Sequence, residues 1–267
     1  MEVNIISTLI KRELKANYKI LLIFMAILSM YCSVIVMMYD PTLGESLYMM
    51  AKSMPQLFAA FGMMHPGITL LDFIINYLYG FIMIVIPFLY ILIMCYRLIA
   101  RYIDRGTLVY LLTTSYSRKK IILTQYLNLL LGTLFLIVYS CSLIILCSYI
   151  MFDEKIDISS FIMLNTGLIC LHLFFMSMCF FTATTFNEIK YSLGIGGGLG
   201  MIFILIQMLS QVSDKLEFLK YFTPLTLFDA SSLVKFESIT GIVVLFMVSI
   251  FILVLSIDIF SKRDLPL

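Results

Sequence analysis

Six stretches of about 20 residues or more, each uncharged or nearly so, divide this chain, and no other feature limits its fold so tightly. They run 20–39, 77–100, 121–151, 161–184, 191–212 and 239–260. A helix takes about 20 apolar residues to cross the hydrocarbon core of a bilayer, and there every backbone N–H and C=O must be satisfied within the spanning structure. Hydrophobic residues fill 62% of the 267 positions and charged residues 13%, a balance that would aggregate in water. The expected fold is an all-α integral membrane protein, a single transmembrane domain over 1–267 with six spanning helices. The first stretch is not expected to be a cleaved signal peptide, because its apolar run is too long and ends in YDPT, without a small-residue cleavage pattern.

The distribution of cations sets an expected orientation. With the amino terminus inside, the inner segments hold Lys11, Arg12, Lys15, Lys19, Arg97, Arg101, Arg105, Arg118, Lys119, Lys120, Lys190, Lys262 and Arg263. The outer ones hold Lys52, Lys155, Lys215, Lys220 and Lys235. Thirteen against five satisfies the positive-inside rule. Both termini are then cytoplasmic in a multi-pass protein of the plasma membrane, and the acidic stretch 152–160 lies outside.

Four segments outside the spans are long enough to act. On a helix, Val3, Ile5, Ile6, Leu9, Ile10 and Leu14 share one half of the circumference of residues 1–19, and Ser7, Thr8, Lys11, Arg12 and Lys15 the other. That pattern predicts an interfacial amphipathic helix in contact with membrane lipid; Glu13 is the exception, lying within the apolar arc. PQLFAAFGMM, between Pro41 and Pro66, predicts a short helix on the outer surface. KYFTPLTLFDASSLV, within 213–238, predicts a second external segment broken at Pro224.

The basic segment lies between spans two and three. Arg97, Arg101 and Arg105 recur every four residues, so span two continues past the membrane as a basic stem. Gly106 and Thr107 interrupt it. Leu108, Val109, Leu111 and Leu112 then call for a lipid or protein surface to pack against.

Five glycines fall in seven positions of YSLGIGGGLGMIF. A phosphate loop would need a Lys and a Ser or Thr after them; here MIFILIQML follows. Gly194 with Gly198, and Gly196 with Gly200, instead form two G-x-x-x-G pairs, the spacing that lets another backbone approach a membrane helix closely. Six cysteines lie within the spans without C-x-x-C spacing and read as reduced packing residues. Cys170 and His172 are too few for a metal centre, and His172 reads as a buried, satisfied histidine.

The basic amino-terminal helix, the six spans and DRGTLVYLLTTSYSRKKI between spans two and three resemble the permease subunits of ABC-2 type transporters. Asp104, Gly106, Thr107, Leu108, Leu111, Leu112, Ser117, Arg118 and Ile121 sit on that family's pattern of an acidic residue, G-T-L, a leucine-rich turn and S-R-x-x-I. Tyr116 departs from it, at a position often held by proline. PQLFAAFG and FSKRDLPL also resemble segments common in these permeases. The resemblance implies a cytoplasmic coupling segment, 96–120, that docks a separate ABC ATPase subunit through Asp104, Arg105, Gly106, Thr107, Leu108, Leu111, Leu112, Ser117 and Arg118. It also implies a second permease subunit, identical or paralogous. Span five would then lie beside the subunit interface, with Gly194, Gly196, Gly198 and Gly200 as the seam, in preference to packing within one chain.

The chain has no G-x-x-x-x-G-K-S/T, so the resemblance makes it a non-hydrolytic subunit, with ATP and Mg bound by the partner and no cofactor of its own. No nucleic-acid partner is expected. An intramembrane metalloprotease would need H-E-x-x-H, which is missing, and an aspartyl type would need two carboxylates deep in the spans. An ion-coupled transporter would place ionisable groups at mid-membrane. Gln125, Asn128, Asn165, Gln207 and Gln211 either line a path or bridge helices. The richness in Met, Phe and Tyr suits hydrophobic or amphipathic cargo, including peptides.

Overall fold

The computed structural model describes residues 2–39, 44–63, 69–108, 117–152 and 156–263; of residues 2–7, 44–48 and Asp214 only the backbone is described. All regular structure among these residues is helical. Among the described residues, six helices are long and apolar enough to cross a membrane. They lie in α1 (Glu2–Met37), α5 with α6 (Ile82–Cys95 and Arg101–Asp104), α7 (Arg118–Met151), α8 (Ile158–Thr185), α9 (Ile189–Val212) and α11 (Thr240–Lys262). Between them are α2 (Gly44–Ser53), α3 (Pro55–Ala60), α4 (Leu70–Ile74) and α10 (Ala230–Val234).

The amino-terminal segment is not a separate interfacial helix. No Gly or Pro interrupts residues 2–37, so α1 runs unbroken for 36 residues, about 54 Å. That exceeds a hydrocarbon core of about 30 Å by several turns. Charge alone does not end a helix whose backbone can continue, and the basic first turns are an extension of span one.

α8 lies at the centre. It packs most extensively on α11, and also on α9, α5, α7 and α10, while α1 pairs with α7. Contacts across helices are apolar, aromatic and hydroxyl-based: Ser29 and Tyr139 share a hydrogen bond at 2.6 Å, Tyr126 and Ser177 one at 3.2 Å, and the Phe88 and Phe175 rings lie 4.8 Å apart. Asn165 is a junction: its Oδ1 accepts from the Tyr79 hydroxyl at 2.7 Å and the Cys141 thiol at 2.8 Å. It therefore bridges helices. All six cysteines are free thiols.

Two π-helical turns, Ile75–Tyr79 after α4 and Tyr96–Ala100 between α5 and α6, widen the backbone without breaking it. The PQLFAAFG stretch forms the short helix expected of it, α3, and packs on α9, a contact the sequence did not indicate. The segment 213–238 breaks at Pro224 into two 3-10 turns and α10, and buries Leu225, Phe228 and Leu233 while leaving Phe218, Tyr221 and Phe222 exposed.

Candidate functional site

The stem that leaves span two ends where the sequence placed its break. Gly106 takes φ +63°, and its N–H bonds to the Ile103 carbonyl at 3.0 Å, closing α6 with a left-handed cap that glycine adopts without a Cβ clash. Thr107 donates its hydroxyl to the Tyr102 carbonyl at 3.4 Å. Arg105 is exposed beside it.

Asp104 makes a contact that spacing could not reveal. Its Oδ1 accepts from the backbone N–H of Ile189 at 3.4 Å, the first residue of α9. Glu188, at the cap position of α9, makes no capping bond with its own side chain. A carboxylate from α6 thus satisfies an orphan donor at another helix's positive end.

The other end of the segment is tied as firmly. Ser117 caps α7 by accepting from the Lys120 N–H. Arg118 Nη1 donates to the Arg263 carbonyl at 2.8 Å, just past the end of α11. Arg263 in turn donates to the Thr184 carbonyl at 2.6 Å, an orphan acceptor in the last turn of α8, and bonds to Asn187 Oδ1. Partial burial lowers the pKa of the Arg263 guanidinium from its ordinary value. The residues on either side of 109–116 are therefore both fastened, Asp104 to α9 and Arg118, through Arg263, to α11 and α8.

Leu108 turns inward. It is 6% exposed and belongs to the chain's own core, so it is not offered to a partner in this arrangement. Leu111 and Leu112, the remaining anchors expected of this segment, lie outside the described residues, as do the last four residues of FSKRDLPL.

The glycines of span five divide between two faces. A Cβ on Gly196 would collide with Thr182 Oγ1 of α8, and one on Gly200 with the Phe88 ring of α5. These two are seams within the chain, joined by Gly197 against Leu92. Gly194 and Gly198 have nothing near where a Cβ would stand. One G-x-x-x-G pair is thus used internally and the other faces outward.

Two groups depart from the sequence expectation. His172, 1% exposed, bonds through Nδ1 to the Leu168 carbonyl at 2.8 Å, while the Ile84 backbone acts on its ring without completing a hydrogen bond at Nε2, so it is buried as expected but only partly satisfied. Glu13, expected in an interfacial helix, is 3% exposed within a spanning helix. Its Oε1 accepts from the Tyr102 hydroxyl at 3.0 Å and its Oε2 from Asn17 Nδ2 at 3.4 Å. The signal was present in the sequence: Glu13 was the one charge inside an apolar arc.

At the end of the bundle away from the termini, a cavity of about 350 Å³ opens between Tyr79, Gly80, Gln207, Gln211, Lys220 and Asp229. Gln207 accepts from the Thr226 hydroxyl at 3.2 Å at its wall. A scan of the chain against family models matches none of them, and a search of curated proteins returns no significant match, so its own residues and geometry carry the functional reading.

Proposed function

We propose that this chain is the permease subunit of an ABC-2 type exporter, acting with a second permease subunit and driven by ATP hydrolysis in a separate cytoplasmic ATPase. The observation that carries the reading is the fastening of 104–118 at both ends. A push on that loop reaches α9 through Asp104 and reaches α11 and α8 through Arg118 and Arg263, which is what a coupling segment must do. With Leu108 buried, Leu111 and Leu112 supply the apolar anchor for the ATPase.

The outward face of α9 suits the second subunit. α9 is among the least apolar of the six candidate spans and yet mostly exposed in the isolated chain. Gly194 and Gly198 leave room there for another backbone. The cavity lined by Gln207 and Gln211 serves as the outer exit for a hydrophobic or amphipathic cargo, a peptide among them.

The test is co-purification. The unmodified chain retains an ATPase and transports only with ATP, whereas Leu111→Ala with Leu112→Ala inserts normally and loses it. Transport driven by an ion gradient without ATP would overturn the assignment. Such a result would instead leave an ion-coupled transporter using the buried Glu13. Orientation is checked separately: cysteines at Ser159 and Ser213 react with an impermeant reagent from outside, and one at Lys262 does not.

A further inference from the structure

Glu13 does not stand alone. At the end of the bundle that carries the amino terminus, a cavity of about 180 Å³ lies between α1, α5 and α7, lined by Glu13, Asn17, Tyr18, Tyr90 and Asn128 with Leu14, Leu21 and Met94. Asn17 is 5% exposed and Asn128 2%. The amide orientation of each is set by its neighbours. Asn17 Nδ2 donates to the Glu13 carbonyl at 2.8 Å, and Asn128 Nδ2 to the Thr124 carbonyl at 3.2 Å. The atoms left over are therefore both acceptors, and Oδ1 of each is enclosed with no hydrogen-bond partner.

Buried polar atoms without partners are costly and call for an explanation. Here two such acceptors join a carboxylate that uses two of about four acceptor positions. Among the described residues the ion pairs are Lys220–Glu217 and Lys262–Asp258, so no described cation pairs with Glu13. The cations of this region, Arg12, Arg97 and Arg101, do not line the cavity, and Arg97 is engaged with the Ala16 carbonyl at 3.3 Å.

We propose that this cavity binds a primary ammonium group carried on an apolar body. A carboxylate with two unpartnered amide oxygens beside the same cavity favours a charged N–H donor, which a neutral alcohol or a quaternary ammonium does not supply. Tyr90 and Tyr18 also line the cavity, and an aromatic ring attracts a cation held over its face. Leu14 and Tyr18, each a little under half exposed, form an apolar rim toward the surroundings of α1. The ligand is an amine-bearing lipid headgroup or a free amphipathic amine. This inference does not rest on the ATPase reading.

The chain has no tryptophan, so Tyr18→Trp at the rim supplies a single reporter. In neutral detergent, dodecylammonium changes its emission saturably, while dodecanol and dodecyltrimethylammonium do not. Glu13→Gln, which still accepts from Tyr102, and Asn128→Leu each weaken the response by about tenfold or more, with thermal unfolding measured to confirm that both variants fold. In nanodiscs, phosphatidylethanolamine competing with the probe where phosphatidylcholine does not identifies the lipid as the source; no competition identifies the free amine. Native mass spectrometry of the unmodified chain checks the same preference without the reporter. Equal binding of the primary and quaternary ammonium, an unchanged affinity in Glu13→Gln, or no saturable binding of any amine overturns the proposal.

Discussion

Asp104 accepts a hydrogen bond from the backbone N–H of Ile189, 85 residues further along the chain. The last residue of α6 thereby caps the first turn of α9, and the stem leaving span two and the glycine-bearing span share one end. Replacing a capping acceptor with alanine costs about 1 kcal/mol. Asp104→Ala should lower the thermal midpoint in detergent modestly and remove ATPase stimulation by cargo more completely than it removes binding of the ATPase. Asp104→Asn keeps the acceptor and should restore most of the stability. Equal coupling in the alanine variant and the unmodified protein would detach this bond from the proposed function.

The two glycine pairs should separate cleanly under mutation. Gly200→Ala meets the buried Phe88 ring and Gly196→Ala meets Thr182, so each should destabilise the chain by about 1–3 kcal/mol, as overpacking does. Gly198→Ala meets nothing and should hold or raise stability. Gly198→Leu should reduce subunit association while leaving the monomer folded. Cross-linking in membranes together with thermal unfolding reads both effects.

Removing the Asn165 junction should cost less than its burial suggests. Tyr79→Phe deletes one bond to Oδ1 while the Cys141 thiol remains 2.8 Å away. Side-chain hydrogen bonds within membrane bundles average about 0.6 kcal/mol, so a loss near that size is expected for Tyr79→Phe. Asn165→Leu should cost more, because it strands the Tyr79 hydroxyl. Denaturation of the two variants in mixed micelles measures the difference.

Asp157 caps α8, and the Ser160 hydroxyl, followed by the Ser159 N–H, holds its carboxyl below the usual range. A lowered pKa in the folded state means stability that is complete above the unfolded value of about 3.9 and lost as pH falls through the folded one. The difference in thermal midpoint between the unmodified chain and Asp157→Ala should be constant near neutrality. It should collapse only below about pH 3.9. A difference that changed between pH 8 and 6 would assign the effect to another group.

The spans were legible because length without charge is a property of sequence alone, and the Gly106 turn because few residues take a positive φ. The continuity of α1 was not. Four cations before Ile20 suggested a boundary, but a boundary requires something that stops the backbone, and residues 2–37 contain neither glycine nor proline. The inward glycine pair was equally hidden. Both pairs have the same spacing, and which one packs inside depends on where Phe88 and Thr182 arrive from other helices. Leu108 read as an anchor for a partner because its neighbours are apolar, yet its own chain covers it. The Asp104 and Arg118 bonds join residues 85 and 145 apart in sequence, beyond any local pattern.

An unbroken α1 ties the protein to the thickness of its bilayer. A helix with a hinge near residue 19 could lay its first turns flat and ignore a change in depth. A rod of this length meets hydrophobic mismatch by tilting as a whole, and tilting carries Glu13 and Asn17 across the faces of Tyr102 and Asn128 together. Membranes of different acyl length should therefore set the width of the gap between α1 and α7, making lipid composition a mechanical input to this end of the protein.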